Sequence, residues 1–423
     1  ENLKITVHNY SQGVCKSAVE GYTRDDMSEP DRLQRMEYYR PVWAQFKQVM
    51  ADARDVDPAV FQSLADNEPA VLLAEAAYNN LAHAEEHGII DGTRSFPEFR
   101  AYMIEKFGKE EDSERDTYPH IGADAYLAQL EAADSEQEDA VAVVFVQGAI
   151  QQGQQGPGVA GSDDIARLIR QAYEDESTRA LVLRVNSPGG SIIASDLIRD
   201  ELLAAKRKDL PVYVSMGDVA ASGGVWVSTP ADRIYAEPTT LTGSIGVAVL
   251  IPTMENLFDY IGVHFDGVTT SEHAGWSPAM GMDEKLDAIF SRWASAAYDH
   301  FVSSVAADRK REVDYIRSIA GGRIWVAPTA LELGLIDELG DLETVVAAAA
   351  TAADISEYRV NYVVEEPSPV HRILQQFSGQ LGISASPVFQ QFNTKLTALM
   401  GILGDLSEPR ATVLCTQCQV ELR

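Results

Sequence analysis

Between Val212 and Ser228 the chain reads VYVSMGDVAASGGVWVS, a run that few folds can accommodate. Val212, Tyr213 and Val214 are strand formers, and Ala220, Ala221, Gly223 and Gly224 leave space around Ser222 for other backbone to come close. A strand entering a sharp turn with a lone hydroxyl in small-residue surroundings suits acyl transfer. If Gly223 opens a helix, its N–H and the positive end of the helix dipole face the spot where an oxyanion develops. Ser222 is therefore the candidate nucleophile. Small-Ser-Gly-Gly runs also serve tight packing, so this stretch alone leaves both readings open.

The flanking sequence sets the fold class as α/β. From Val141 a strand (VAVVFVQG) leads through a Gly/Gln loop to a helix over about 163–173 and a strand over 180–185. Asn186-Ser-Pro-Gly-Gly190 follows, then a helix with Ile193, Leu197, Ile198, Leu202 and Ala205 on its apolar face. Strands at 212–216 and 233–235 continue the alternation, which predicts a mostly parallel sheet covered on both faces. Ser222 then lies past a strand end, where such sheets place their sites. Leu286, Phe290, Trp293, Ala297, Phe301 and Val305 trace a long amphipathic helix, and 358–364 reads as a further strand.

A net charge of −30 disfavours a nucleic-acid partner and suits a surface exposed to salt. No run of 18 apolar residues occurs, and Glu1-Asn2-Leu3-Lys4 lacks the pattern of a signal peptide. Cys15, Cys415 and Cys418 are too few for a disulfide scaffold, and Cys415-x-x-Cys418 lacks the two further ligands of a structural zinc. Neither a metal nor a cofactor is expected.

The front of the chain repeats the back. Residues 4–10 alternate like a strand but have nothing upstream to pair with, so the chain reads as opening in mid-domain. A helical pattern follows Asp31, with Leu33, Met36, Tyr39, Trp43, Phe46 and Met50 at three- and four-residue steps and Pro41 as a kink. Phe61-Gln-Ser-Leu-Ala65 matches Ile316-Arg-Ser-Ile-Ala320 at an offset of 255, which also sets Phe46 on Phe301 and Arg54 on Arg309. Gly88-Ile-Ile-Asp91 matches Gly334-Leu-Ile-Asp337 at 246, so the first copy carries nine extra residues. Residues 1–125 are thus expected to be the second half of an N-terminal repeat whose first half is absent. An acidic linker over 126–140, a complete repeat over 141–355 and an extension over 356–423 complete the division. The extension holds two amphipathic stretches, around 373–381 and 388–403.

A serine nucleophile needs a base. His264 and His273 are the histidines nearest Ser222 in the chain, and no lysine occurs between Lys208 and Lys285. Lys16 projects at the 255 offset onto Ser271, two residues before His273. A lysine acts as a base only as the neutral amine, which burial favours, and Val14, Ala18 and Val19 beside Lys16 allow burial.

Taken together, Leu183-Arg-Val-Asn-Ser-Pro-Gly-Gly190, 216–226 (MGDVAASGGVW), Leu241-Thr-Gly-Ser-Ile-Gly246 and Lys16-Ser-Ala-Val-Glu20 resemble the motifs of the signal peptide peptidase A family, in its long tandem-repeat bacterial form. The resemblance implies a fold related to the ClpP and crotonase superfamily and a Ser–Lys dyad divided between the repeats. By position, Ser222 would be the nucleophile, Lys16 the general base and Ser244 the hydroxyl that holds the amine. Gly189 and Gly223 would supply the oxyanion-hole N–H groups. It further implies peptide substrates such as signal-peptide remnants, a ring-like homo-oligomer such as a tetramer, and attachment to the periplasmic side of the bacterial inner membrane through a segment missing here. Short relatives place the lysine after the serine, about where His273 stands. Rival readings are a Ser–His base through His273 or His264, a non-proteolytic crotonase-like acyl-CoA binder, and an inactive assembly protein.

Overall fold

The computed structural model describes residues 3–74, 80–111, 116–123, 126, 138–266, 276–364 and 412–414. His273, Ser271, Cys415, Cys418, most of the acidic linker and both amphipathic stretches of the tail lie outside them. The chain divides into two compact units, one of residues 1–38 with 138–423 and one of residues 39–137.

In the first unit the expected alternation gives an eight-stranded sheet. Its main path runs through Ile324–Val326, Leu241–Gly243, Val212–Ala221, Thr178–Ser187, Ala140–Gln147 and Arg359–Tyr362. Every pairing along it is parallel except that of Ile324–Val326 with Leu241–Gly243. The central strands are nearly continuous runs of Val, Leu and Ala because both faces are covered. Helices Ser162–Glu174, Ile192–Lys206 and Glu284–Asp308 pack on one face, where Trp226 stacks on Phe301 at 4.4 Å. Helix Leu342–Ala352 closes the other face over Val141, Val143 and Val182. Each fully buried Val or Leu in this core contributes about 1.5–3 kcal/mol.

The strand Val212–Ala221 forks. Its first half pairs with Arg233–Ala236 and its last three residues with Leu241–Gly243, so its end lies free of the first neighbour and points Ser222 out of the ladder. A second sheet of four short strands runs Thr412–Leu414, Gly189–Ser191, Ala149–Gln151, Val159–Gly161. The front strand does find a partner: Thr6–Asn9 pairs antiparallel with Leu250–Thr253.

Two apolar faces differ from expectation. On Ile192–Lys206, Ile193 and Leu197 are exposed, and the inward face is Ile192, Ala194, Ser195, Ile198, Leu202 and Ala205. Small residues are needed there because the helix meets the turn after Ser222, where a Cβ on Gly223 would lie 2.7 Å from Ser195 Oγ. On Glu29–Arg54, the stripe from Leu33 to Phe46 is exposed, whereas Asp31, Gln34 and Tyr38 are buried. Hydrogen bonds turn this face inward: Asp31 accepts from Ser17 Oγ at 2.6 Å, and Gln34 Oε1 accepts from the Ile324 N–H at 3.0 Å.

The second unit contains helices Ala59–Ala74, Asn80–Glu86 and Phe96–Phe107. Within it Arg54 donates to the Gly88 carbonyl at 2.9 Å and pairs with Asp91 at 2.8 Å. The first unit repeats that arrangement at the matched positions, where Arg309 donates to the Gly334 carbonyl at 3.1 Å and pairs with Asp337 at 2.7 Å.

Candidate active site

Ser222 follows the strand Val212–Ala221, which runs five residues past the expected 212–216, and Gly223 does open a helix, the short Gly223–Ser228. The turn is strained: Ser222 has φ 58° and ψ −114°, a conformation costing about 1–3 kcal/mol in a non-glycine residue. Two backbone bonds hold it there, from the Ser222 N–H to the Gly243 carbonyl at 2.8 Å and from the Trp226 N–H to the Ser222 carbonyl at 3.0 Å. Gly224 is required by close approach, since a Cβ would fall 2.8 Å from the Ser187 carbonyl oxygen.

Ser244 occupies a second left-handed turn, with φ 54°, directly after the strand Leu241–Gly243. Its N–H donates to the Arg323 carbonyl at 2.6 Å. The two strained serines bracket one amine. Lys16 Nζ lies 2.8 Å from Ser222 Oγ, 2.9 Å from the Ser244 carbonyl oxygen and 3.0 Å from Ser244 Oγ. Chain positions 206 and 228 residues apart thus meet within hydrogen-bond distance.

The surroundings favour the uncharged amine. Lys16 is 4% exposed, Ser222 is fully covered and Ser244 is 2% exposed. Burial, the one cause acting on it, pulls the Lys16 ammonium down to about 7. A neutral amine has two N–H groups and one lone pair. With the Ser244 carbonyl and hydroxyl oxygens accepting the two N–H groups, the lone pair is left for the Ser222 hydroxyl proton. The hydroxyl of Ser244 and its carbonyl orient the amine without adding charge.

The two glycines expected to donate to an oxyanion flank the serine. Gly223 follows it directly, and a Cβ on Gly223 would lie 3.2 Å from Gly189 Cα. The Gly189 N–H donates to Ser187 Oγ at 3.1 Å, a bond that an incoming oxyanion would share or displace. Gly189 also lies on the strand edge against which Thr412–Leu414 pairs, with Leu414 opposite Gly189.

Of the histidines weighed as bases, His264 is well exposed and 4.0 Å from Asp259. Among the described residues, Lys16 is the side chain hydrogen-bonded to Ser222. No group of His, Cys, Asp and Glu among them is arranged to hold a metal. Sequence reasoning did not single out the Ser244 carbonyl or the backbone of Gly13 and 321–323 beside Lys16. The Gly321-Gly-Arg323 run, directly after the repeated Ile316–Ala320 motif, was the available signal.

Comparison with known proteins adds the family. Residues 204–356 match the model of peptidase family S49, a span that includes Ser222 and Ser244 and leaves out Lys16. Protease 4 of Salmonella typhi is 36% identical over 385 residues, 90% of this chain and 61% of the relative. Protease 4 of Haemophilus influenzae is 34% identical over 353 residues, 82% of this chain and 56% of the relative. The chain therefore spans about three fifths of the length of these curated relatives. The slr0021 protein of Synechocystis is 34% identical over 216 residues, half of this chain and 76% of its own. Among solved structures, a ClpP1 mutant from Listeria monocytogenes overlaps 52% of this chain and 99% of its own at 13% identity and a TM-score of 0.34. The 1510-N membrane-bound stomatin-specific protease with a substrate peptide overlaps 57% of this chain and 99% of its own, at 16% identity and 0.35. At that overlap the fold rests on the sheet order itself. Residues 204–356, which hold Ser222 and Ser244, match the family model, and with relatives at 34% and 36% identity, one of them covered to 76% of its length, the chain belongs to peptidase family S49.

Proposed function

We propose that the chain is a serine endopeptidase working through a Ser222–Lys16 dyad. The 2.8 Å approach of Lys16 Nζ to Ser222 Oγ, in a site where burial favours the neutral amine, carries this reading. Lys16 accepts the Ser222 proton as Oγ bonds to the scissile carbonyl carbon and its oxygen becomes an oxyanion. The Gly189 and Gly223 N–H groups stabilise that charge; one such donor is worth about 10²–10³ in rate. The ammonium then protonates the leaving amine as the C–N bond breaks. Water, losing a proton to Lys16, hydrolyses the acyl-enzyme and restores the Ser222 hydroxyl.

Extended peptides are the substrates this edge suits. The strand Gly189–Ser191 lies beside Ser222, and Thr412–Leu414 of the chain itself pairs antiparallel with it, in the way a bound extended peptide would. Signal-peptide remnants, a ring-like homo-oligomer and work at the periplasmic face of the inner membrane follow the resemblance to signal peptide peptidase A. Among the described residues no helix is long and apolar enough to cross a membrane. The matched Arg54–Asp91 and Arg309–Asp337 networks support a tandem repeat, with Lys16 in the first copy and Ser222 in the second.

The test compares Lys16→Ala with His273→Ala on a peptide ester and with a fluorophosphonate probe. Turnover lost in Lys16→Ala and kept in His273→Ala is expected. The reverse pattern transfers the base to His273, and a wild-type protein that resists the probe is a binder instead.

A further inference from the structure

Lys16 sits in a seam walled by backbone. Gln12 and Val247 exchange N–H to carbonyl bonds at 2.7 and 3.2 Å, and the Cys15 N–H donates to the Gly321 carbonyl at 2.9 Å. On the other side of the same strip, the Gly322 N–H donates to the Ile245 carbonyl at 2.8 Å and the Ser244 N–H to the Arg323 carbonyl at 2.6 Å. Residues 321–323 therefore hold the lysine segment on one flank and the Ser244 turn on the other.

The strip fits only where side chains are missing. A Cβ on Gly322, whose φ is +80°, would lie 2.7 Å from the Lys16 backbone nitrogen and 2.9 Å from both its Cα and its Cβ. One on Gly13, at φ +115°, would lie 2.5 Å from the Gly321 carbonyl carbon, and one on Gly246 2.9 Å from the Gln12 oxygen and the Gly322 nitrogen. These clashes are with backbone, so no side-chain rotation relieves them and the lysine segment itself must move.

We infer that Gly322, supported by Gly13 and Gly246, is a positioning residue that seats Lys16 at hydrogen-bond distance from Ser222. The inference rests on the Ser–Lys reading above. A displacement of about 1 Å in such a pair is worth about 10² in rate. A parted seam also admits water to the amine. The charged groups nearby, Arg323, Asp31, Glu37 and Glu20, act on the Cys15 thiol, and Tyr298 accepts from the Gly321 N–H at 3.2 Å. Lys16 is held down by burial alone, so hydration lets its amine climb toward the ordinary lysine range.

In the full chain, Gly322→Ala is expected to lower kcat on a peptide ester about 100-fold near neutral pH while KM changes less than about threefold. The rising limb of the kcat profile moves at least about one pH unit toward alkali. Gly262→Ala is the control. Its φ of +75° imposes comparable backbone strain, but its Cβ meets nothing within 4 Å, so kcat and limb should stay as in the wild type. If Gly322→Ala does not fold, Gly246→Ala is read in the same assays. Wild-type kcat in the seat variant, or a loss of kcat with the limb unmoved, overturns the inference. Lys16→Ala measured alongside separates the layers. If it keeps turnover, the dyad is wrong; if it is dead beside an unaffected seat variant, the glycine seat alone is wrong.

Discussion

Ser222 hangs from the middle of the larger sheet, after a strand paired on both sides and before a helix whose Trp226 stacks on Phe301 deep in the core. Lys16, its partner across the site, stands before a single three-residue turn of 3-10 helix, Ser17–Val19, and is held by loops. The serine is fixed by the same apolar contacts that keep the unit folded. The lysine is fixed by turn hydrogen bonds and absent side chains, which add little to the fold and much to geometry. Stability and reactivity are thus separable here: damage near the serine's supports should unfold the protein, whereas damage at the lysine's should slow it.

The largest effect that could break this contrast comes from removing the two groups of the proposed dyad. Ser222→Ala and Lys16→Ala should each cut peptide-ester turnover by at least about 10³-fold, while leaving the thermal transition close to that of the wild type. The wild-type rate should rise with pH through about 7, because the proposed base would work only when deprotonated and burial holds the Lys16 ammonium there. A profile flat from weakly acidic to alkaline pH would count against the amine.

Next comes the serine's support. Trp226→Ala empties a fully buried site against Phe301, so chemical denaturation should show a loss of about 3–5 kcal/mol. An equal loss from Lys16→Ala would erase the contrast. Ser244→Ala sharpens it from the other side. It leaves the Ser244 carbonyl in place and removes one of two acceptors from a buried amine, so kcat should fall about tenfold at a stability cost of about 1–3 kcal/mol, below that of Trp226→Ala. The smallest effect concerns the edge beside the site. Val413→Pro cannot keep the ladder with Gly190, and KM for an extended peptide should drop a few-fold if that strand competes for the edge. An unchanged KM would show that the peptide lies elsewhere.

Much of the serine's half was legible. Runs such as VAVVFVQ and ALVLRV declare doubly covered strands, and the Ala-Ala-Ser-Gly-Gly run declares a turn where backbones nearly touch. Periodicity was less reliable where packing needed small or polar residues. Ile193 and Leu197 face outward because the inner face must be Ala194 and Ser195 to clear Gly223, and Leu33 and Met36 stay outside because Asp31 and Gln34 have partners within. Lys16 gave no local sign of its place beside Ser222. Val14, presumed to help bury it, is 82% exposed, and the burial comes instead from the remote turns at 244–247 and 321–323.

Local order was therefore written in the chain: which segments become strands, where the turn after residue 221 falls, and that a hydroxyl stands at its tip. Those outcomes depend on neighbours a few residues apart, through backbone sterics and side-chain alternation. The tertiary structure alone decided that an amine 206 positions away reaches that hydroxyl in a buried seam. Desolvation and a three-point hydrogen-bond cage are properties of groups brought together from four separate stretches, and no one of those stretches encodes them by itself.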